Sequence, residues 1–307
     1  MSTGVVFQQM LVIFLLIAVG VFLYRKKAVT EVTSRQLSGL ITNICNPALM
    51  IASVFSDEMP ATRQDILLTA GIAAGTYVFA IAAGILVPRL LRVEPQERKY
   101  YHMMMVYGNT GFIGIPLVSA LLGEGAVIYV TVFNFFFNVL IYTHGITVMA
   151  GGTGNRQAFQ WKKMVNAGTI SAVAALILFW FEIPLPVFLE DAASYMGRCT
   201  TFLSMIVLGV SVARMSPAKI FSNGKLYGAA LIRLLVIPIA AGMVLRPLVH
   251  NETILDVSVL LLAMPVGNMP LMLAQENGEK AEVLAQGAIL TTILSLVTVT
   301  VNTMFLN

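Results

Sequence analysis

One stretch of this sequence interrupts a long apolar run near its middle, and it limits the possible folds more than any other feature. Residues 108–116 read Gly-Asn-Thr-Gly-Phe-Ile-Gly-Ile-Pro, whereas residues 100–107 and 117–122 on either side are mostly apolar. Glycine loses much backbone entropy in a helix and proline lacks an N–H donor, so this stretch does not favour a regular helix. Backbone that is not helical is tolerated at membrane depth only where protein covers it or where it lines a wet cavity. We therefore predict a binding site here.

A second break of the same kind lies in the other half of the chain. Residues 264–270 read Met-Pro-Val-Gly-Asn-Met-Pro and interrupt an apolar run from about residue 254 to residue 274. Pro116 and Pro270 stand 154 positions apart, close to half of the 307 residues. Interrupted apolar segments at matching places in two halves indicate the binding site of a transporter built from repeats.

The composition indicates a polytopic membrane protein embedded in the lipid bilayer. Hydrophobic residues make up 58% and charged residues 11%, with a mean hydropathy of +0.84, whereas a soluble protein has roughly 25% charged residues. The net charge of +4 arises from short basic clusters between apolar runs, which argues against a nucleic-acid partner. Cys45 and Cys199 lie in or beside apolar segments, so we expect neither a disulfide framework nor a metal site, and no cofactor.

Ten apolar runs are long enough to cross a bilayer, which takes about 20 residues. They lie near residues 4–24, 35–56, 65–88, 98–122, 126–149, 164–182, 189–213, 224–246, 253–275 and 281–305. One alternate set of connecting segments holds fifteen basic residues, whereas the opposite set holds only Arg63 and Arg246. The positive-inside rule places the basic set in the cytoplasm, so both termini are expected outside the cell membrane.

Five spans in each half require the second half to insert upside down relative to the first. The sequence thus predicts two inverted five-helix repeats, residues 1–150 and 164–307, joined by a glycine-rich cytoplasmic linker at residues 151–163. In the third span, Gly71 and Gly75 stand four residues apart. We interpret them as close helix packing within the protein rather than as a dimer contact.

Polar groups inside the apolar runs are the candidates for binding. A half-helix that begins inside the membrane has unpaired N–H groups and partial positive charge, which suit a carboxylate. Pro116 and Pro270 fit the first position of such a half-helix. Five asparagines inside apolar runs each need a partner in the bundle or a ligand: Asn46, Asn109, Asn134, Asn138 and Asn268.

Two spans carry polar stripes at helical spacing, and we expect both stripes to face inward beside the breaks. The stripe of the fifth span is Thr131, Asn134, Asn138 and Tyr142, and that of the tenth is Thr291, Ser295, Thr298 and Asn302. For the tenth span, hydrogen bonding between helices and a substrate role are equally compatible with the pattern.

Ionisable groups inside the spans are few. Arg198 and Arg233 are the basic residues there, and a fixed cation near the site would attract an organic anion. We assign Arg198 to the substrate, although an arginine that reaches to the membrane interface is the alternative for either residue. His144 lies in the fifth span and could titrate, but a histidine satisfied within the core fits it better. No acidic residue lies centrally in a span, which argues against the intramembrane carboxylate of sodium or proton antiporters.

The pattern Asn109-x-Gly-Phe-x-Gly-x-Pro116-Leu117 resembles the signature of the auxin efflux carrier family, whose bacterial members resemble malonate and malate permeases. The span count and the second break match too, so the resemblance covers nearly the whole chain. It implies an all-α fold similar to that of sodium/proton antiporters, with a scaffold bundle, a transport bundle and broken helices 4 and 9 that cross at the substrate site. It also implies a homodimer.

The resemblance assigns roles to residues of both breaks. Asn109 and the backbone of Thr110 and Gly111 would hold a carboxylate, together with Gly267 and Asn268 of the second break. The residues that would shape the crossover are Gly108, Gly114, Pro116, Pro265 and Pro270. Two departures from the family are evident: the linker is short where plant carriers have a long loop, and Thr200-Thr201 stands where the mate of Asn46-Pro47 would have a proline.

These observations predict a transporter of small organic anions that works by alternating access and is driven by the membrane potential. The alternative is a dicarboxylate symporter coupled to protons or sodium, because asparagine, threonine and carbonyl oxygens could bind an ion without a buried acid. An intramembrane enzyme would require paired acids or a histidine-metal cluster, which the spans lack. A membrane sensor or receptor would require a soluble output domain, which the sequence does not contain.

Overall fold

The computed structural model describes residues 3–56, 61–150, 164–214, 223–276, 279 and 281–306. The regular structure of these residues is helical, apart from one isolated β-type contact between Gly108 and Val266. The all-α prediction is therefore confirmed for the described part of the chain. The predicted linker, residues 151–163, lies outside the described residues.

The α-helices follow the apolar runs closely, and helix is found within each of the ten runs. In chain order they are α1 (Thr3–Arg25), α2 (Glu31–Leu40), α3 (Asn46–Ala52), α4 (Arg63–Leu90), α5 (Arg98–Val106), α6 (Ile115–Leu122), α7 (Val127–Leu140), α8 (Ile146–Met149), α9 (Ala167–Trp180), α10 (Val187–Ala213), α11 (Gly224–Leu231), α12 (Ile237–Leu245), α13 (Glu252–Leu262), α14 (Met269–Glu276) and α15 (Glu282–Leu306).

Five helical rods in the described residues are long and apolar enough to cross a membrane: Glu31–Phe55, Arg63–Leu90, Glu124–Met149, Val187–Ala213 and Gly224–Leu245. A sixth is added if α15, which bends by 58° near its middle, counts as one span. The predicted ten spans and their inverted repeat therefore stay predictions. Two of the ten runs are broken into short helices, α5 with α6 and α13 with α14, and α9 has only 14 residues.

Four π-helical turns interrupt the rods of the described chain, and proline explains three of them. The turns Ile41–Cys45, Thr110–Gly114 and Ile232–Val236 each end two residues before a proline. Proline cannot donate a backbone hydrogen bond and its ring clashes with the carbonyl one turn earlier. A π turn is wider than an α turn, so it relieves that clash.

For two of these prolines, Pro116 and Pro238, a carbonyl about one turn earlier accepts a hydrogen bond from an asparagine side chain. Asn46 Nδ2 donates to Gly111 O at 3.2 Å, and Asn302 Nδ2 donates to Leu234 O at 2.7 Å. In lipid no water would satisfy such a carbonyl. In these two cases, an amide side chain of one helix satisfies a carbonyl of another, and the bond connects residues that are distant in the sequence.

The helices form two packed groups. In one, α1, α2, α3, α9 and α10 contact one another, and in the other, α4, α5, α7 and α11–α15 do so. Each group draws helices from both halves of the chain. The two breaks meet inside the second group, on the side that faces α2, α3 and the start of α9.

The closest backbone approach between long helices is between α1 and α10. A Cβ on Gly20 would lie 2.6 Å from Ile206 O, and one on Gly209 would lie 2.8 Å from Gly20 Cα. In contrast, a Cβ on Gly71 or Gly75 would meet no atom within 4 Å. The interpretation of Gly71 and Gly75 as a packing contact is therefore wrong, because these glycines line an open apolar groove of about 610 Å³ between α4 and α12.

We predict that Gly209→Ala destabilises the protein and that Gly71→Ala does not. The added methyl group at Gly209 must push α1 and α10 apart, which should cost about 1–3 kcal/mol. The methyl group at Gly71 enters open space. Thermal unfolding of the two variants in one detergent measures the difference, and equal unfolding temperatures would contradict the α1–α10 contact.

Candidate functional site

The two breaks cross backbone to backbone. Asn109 N–H donates to Pro265 O at 2.7 Å, and Gly267 N–H donates to Tyr107 O at 3.0 Å, so that Gly108 lies opposite Val266. A Cβ on Gly267 would lie 3.1 Å from Gly108 O. The close approach of the two segments therefore favours glycine here, because a side chain would crowd the facing backbone.

The two breaks are not equal in length. Gly108 and Val266 are 158 positions apart, four more than the offset that aligns Pro116 with Pro270. The difference is taken up by the π turn Thr110–Gly114, which separates the crossing from Pro116 in the first break. The second break has no such turn among its described residues, and α14 begins at Met269, directly after Asn268.

The first break ends in a capped turn whose first amides point toward a cavity. Asn109 Oδ1 accepts a hydrogen bond from Phe112 N–H at 3.1 Å, and Asn109 O accepts from Gly114 N–H at 3.0 Å. Within the described residues, Gly111 N–H has no acceptor. An unpaired amide at the start of a helical segment is a suitable donor to an anion.

The second break is held by a threonine of the tenth predicted span. Thr291 Oγ1 accepts a hydrogen bond from Val266 N–H at 3.0 Å and donates to Gly287 O at 2.7 Å. Asn302, from the same stripe, supports the α11–α12 rod as described above. Thr291 and Asn302 of the α15 stripe thus bond to other segments, whereas Ser295 Oγ donates to Thr292 O within α15. None of the four stripe residues lines the cavity.

A cavity of about 540 Å³ lies beside the crossing, within the size range of small-molecule sites. It is lined by Arg35, Ser38, Gly39, Thr42, Asn43, Asn46, Met50, Gly108, Asn109, Thr110, Gly111, Phe112, Ile115, Asn134, Phe137, Asn138, Tyr142, Asn166, Ala167, Gly168, Gly267, Asn268, Met269 and Met272. The five predicted asparagines are all in this set. The cavity also brings together both glycine-containing breaks.

Amide side chains on α7 form one wall of the cavity. Thr110 Oγ1 donates to Asn134 Oδ1 at 2.7 Å, and Asn138 Nδ2 donates to Asn134 O at 2.9 Å. The Thr110 bond fixes the Asn134 amide so that its Nδ2 is left as a donor. Asn134 Nδ2 and Asn46 Oδ1 are buried and have no partner in the described structure. Unpaired buried amide atoms are uncommon, and a ligand or water commonly satisfies them.

Several predicted residues do not line the cavity. Pro116, Pro265 and Pro270 are buried behind it, as is Gly114, where a Cβ would lie 2.9 Å from Leu261 Cδ2. Arg233 is fully buried against Gly108, and its Nη1 donates to Leu262 O at 2.8 Å.

Arg198, which we expected beside the substrate, lies elsewhere. Its Nε is 2.7 Å from Glu124 Oε1, and the arginine side chain is 69% exposed. Glu124 belongs to the short 3₁₀ turn Glu124–Ala126, which packs against Ser53–Phe55 at the end of the α2–α3 rod opposite to Arg35. The acid that pairs with Arg198 is 74 positions away in the sequence, so the sequence alone does not reveal the pair.

Sequence reasoning predicted Asn46 but missed three other polar residues of the second span, Arg35, Ser38 and Thr42. Arg35, Ser38, Thr42 and Asn46 all line the cavity, and Arg35 is the one charged residue in its described lining. Their spacing equals that of the stripe in the fifth span, which was the available signal. The charge pattern instead places Arg35 in the basic cluster of a connecting segment.

Comparison with known proteins places the chain in a family. Residues 5–160 and 156–303 match the family described as membrane transport protein. A protein of Rhizobium meliloti named "Putative malonate transporter" is 26% identical over 287 residues, which cover 86% of this chain and 84% of the relative. An uncharacterized transporter of Methanocaldococcus jannaschii is 24% identical over 301 residues, 94% of this chain and 95% of that protein. The chain therefore belongs to the membrane transport protein family, the auxin efflux carrier-like family that its residue pattern resembles, and is a multi-pass membrane protein.

Proposed function

We propose that this protein transports small organic anions and that the cavity at the crossing is its substrate site. The observation that carries the proposal is the convergence of amide donors from the first break and from α7 on one cavity, with Arg35 at its wall. Relatives that are named as transporters support the general function, and the name of the Rhizobium meliloti relative supports malonate as a substrate.

The donors suit a carboxylate. Gly111 N–H lacks an acceptor in the described residues, and Asn109 Oδ1 is held by Phe112, which leaves Asn109 Nδ2 to donate into the cavity. Asn134 Nδ2 is a third donor. Hydrogen bonds to a charged acceptor are about twice as strong as neutral ones.

Arg35 gives a second anchor. No acidic partner of Arg35 occurs in the described part of the chain, and its guanidinium can bind a carboxylate with two parallel hydrogen bonds. Arg35 stands eleven residues before Asn46 on the same rod, about 16 Å along its axis, so it would attract and bind the anion on entry rather than share a small dicarboxylate with the amides. An auxin-like monocarboxylate would place its ring against Phe137 and Tyr142.

We propose that the two helix groups are the scaffold and transport bundles of an inverted repeat. Reciprocal contacts support this: α1 packs on α10, and α3 packs on α9, as expected if the first two helices of each half exchange places. The helix group with the crossing would then move against the other group and present the cavity to each side of the membrane in turn.

The opposite ends of the cavity differ, which supports an inward-open state. Arg35 lies toward the end of the α2–α3 rod that belongs to the basic, cytoplasmic set of segments. At the other end, Arg198 and Ser194 of α10 both bind Glu124, at 2.7 Å and 3.2 Å. These contacts join the two helix groups and would close the cavity on the outside. Arg198 is then a gate residue rather than a substrate ligand.

The driving force follows from the charge of the substrate. Moving one elementary charge across the membrane yields about 2.3 kcal/mol per 100 mV, so an inside-negative potential favours export of an anion. If a proton or a sodium ion is coupled to transport, the flux would also depend on the gradient of that ion. Flux measured with each gradient imposed separately distinguishes these two modes of transport.

We predict that purified protein in proteoliposomes moves labelled malonate and that Arg35→Gln weakens this transport. Loss of a hydrogen bond to a charged group should cost about 1.5–3 kcal/mol, and KM should rise roughly tenfold to a hundredfold. Arg246→Gln is the matched control, because Arg246 is exposed at the end of α12 and far from the lining. If Arg198→Gln raised KM and Arg35→Gln did not, the assignment of Arg198 to the substrate would be right.

A second prediction concerns the wall on α7. Thr110→Val keeps the side-chain shape but removes the hydrogen bond that orients Asn134, so malonate affinity should fall by about 1–2 kcal/mol. Thr131→Val is the control, because Thr131 is a buried threonine of α7 that bonds only to Val127 O among the described residues. Equal effects of the two variants on affinity would argue against a binding role for the Asn134 amide.

A further inference from the structure

A chain of three ionisable side chains lies outside the cavity, on the seam between α5 and the rod α7–α8. His102 Nε2 is 3.2 Å from His144 Nε2, and His144 Nδ1 is 2.9 Å from the Tyr107 hydroxyl. That hydroxyl also donates to Leu140 O at 2.9 Å. His102 is 8% exposed and Tyr107 is fully buried. No part of the proposed substrate site uses these groups.

The hydrogen-bond pattern accepts one added proton without conflict. When His144 is charged, its Nδ1–H donates to the Tyr107 hydroxyl and its Nε2–H donates to Nε2 of a neutral His102. The Tyr107 hydroxyl keeps its own hydrogen bond to Leu140 O. A second proton would place two Nε2–H groups against each other at 3.2 Å. Two sites this close share their protons as a unit, so the pair can hold one additional proton and excludes a second.

The pair is connected directly to the crossing. Tyr107 is the residue whose carbonyl accepts the Gly267 N–H, so one residue carries both the hydroxyl bonded to His144 and the carbonyl bonded to the second break. His144 lies in the π turn Ile141–Gly145, and Tyr142 of the same turn lines the cavity. A π turn that no proline explains is typical of a functional position.

The surroundings hold few charges. In α4, Tyr77 donates to Phe133 O, and Gly84 leaves the space that the His102 ring fills. Lys99 lies one turn before His102 and is engaged by Glu279 at 2.5 Å. In α14, residues 269–275 include no titratable side chain and Glu276 ends the helix, and in α15 the acid Glu282 is exposed. The buried Arg233 lies against Gly108, the residue after Tyr107. Among the described residues, therefore, no carboxylate contacts the imidazoles.

Among the side chains that the structure describes, a proton on this pair would thus lack a counter-charge, and an anion in the adjacent cavity would supply one. Burial in a medium of low dielectric constant strengthens that attraction. We propose that His102 and His144 together form a proton-binding site and that one proton travels with each organic anion. This inference rests on the proposed transport function and names its coupling ion. A dianion that moves with one proton still carries net negative charge, so membrane potential and pH gradient would both drive it.

The test is malonate flux in proteoliposomes at a clamped membrane potential, with a pH gradient imposed. One coupled proton should give about tenfold accumulation of malonate per pH unit. His102→Gln and His144→Gln keep a hydrogen-bonding side chain that cannot titrate, so each should abolish the response to pH while potential-driven flux remains. His250→Gln is the matched control, because the third histidine is exposed after α12. Full pH-driven accumulation in both variants would overturn the proposal.

A second readout does not depend on transport. On acidification, the purified wild-type protein should take up about one proton more than the double variant His102→Gln/His144→Gln. Equal uptake would overturn the site. If malonate flux is absent but this difference is found, the proton site stands and the proposed substrate fails. If the histidine variants do not fold, Tyr107→Phe tests the same series of hydrogen-bonded side chains. Loss of the hydroxyl should change the pH dependence of malonate flux and leave the affinity for malonate unchanged at the pH where flux is greatest.

Discussion

Two backbone hydrogen bonds join the two breaks, and the geometry of the cavity and of the residues around it depends on them. They run from Asn109 N–H to Pro265 O and from Gly267 N–H to Tyr107 O. Each break would otherwise expose peptide groups to lipid, which offers no partner. By pairing, the breaks satisfy each other and fix the geometry of everything beside them. In the turn that starts at Thr110, the Gly111 N–H is left without an acceptor among the described residues and lines a cavity, and the Tyr107 hydroxyl contacts a histidine pair.

The same constraint accounts for the positions of the polar residues. A proline or glycine that breaks a membrane helix leaves peptide groups without their usual partners, and at three places in the described structure a side chain from another helix supplies the missing bond. Asn46 donates to Gly111 O, Asn302 donates to Leu234 O, and Thr291 accepts from Val266 N–H. These polar side chains are part of the framework of the fold. In contrast, Asn134 and Asn109 line the cavity and each keep an Nδ2 donor that no described residue accepts. Asn302 also has an unpaired Oδ1 but lies away from the cavity, so it is a free donor at the cavity that distinguishes a candidate binding group from a structural one.

The sequence predicted the breaks, the asparagines and the all-helical fold because glycine, proline and asparagine seldom occur together inside an apolar run unless the helix is interrupted there. It did not predict which helix faces would meet. Gly71 and Gly75 have the spacing of a packing contact, but the close approach is made by Gly20 and Gly209, which belong to different halves of the chain. Arg198 was assigned to the substrate because its partner, Glu124, is distant in the sequence. Arg35 was missed because it lies where an apolar run begins. The Gly20–Gly209 contact and the Arg198–Glu124 pair both join residues that are remote along the chain, so neither could be read from local sequence.

The most direct test of the central claim, that the crossing is the substrate site, is an experimental structure of the protein with malonate bound. We expect carboxylate density within hydrogen-bonding distance of Gly111 N–H and Asn109 Nδ2. Density beside Arg198, or in the apolar groove between α4 and α12, with the crossing left unoccupied at saturating malonate, would contradict it.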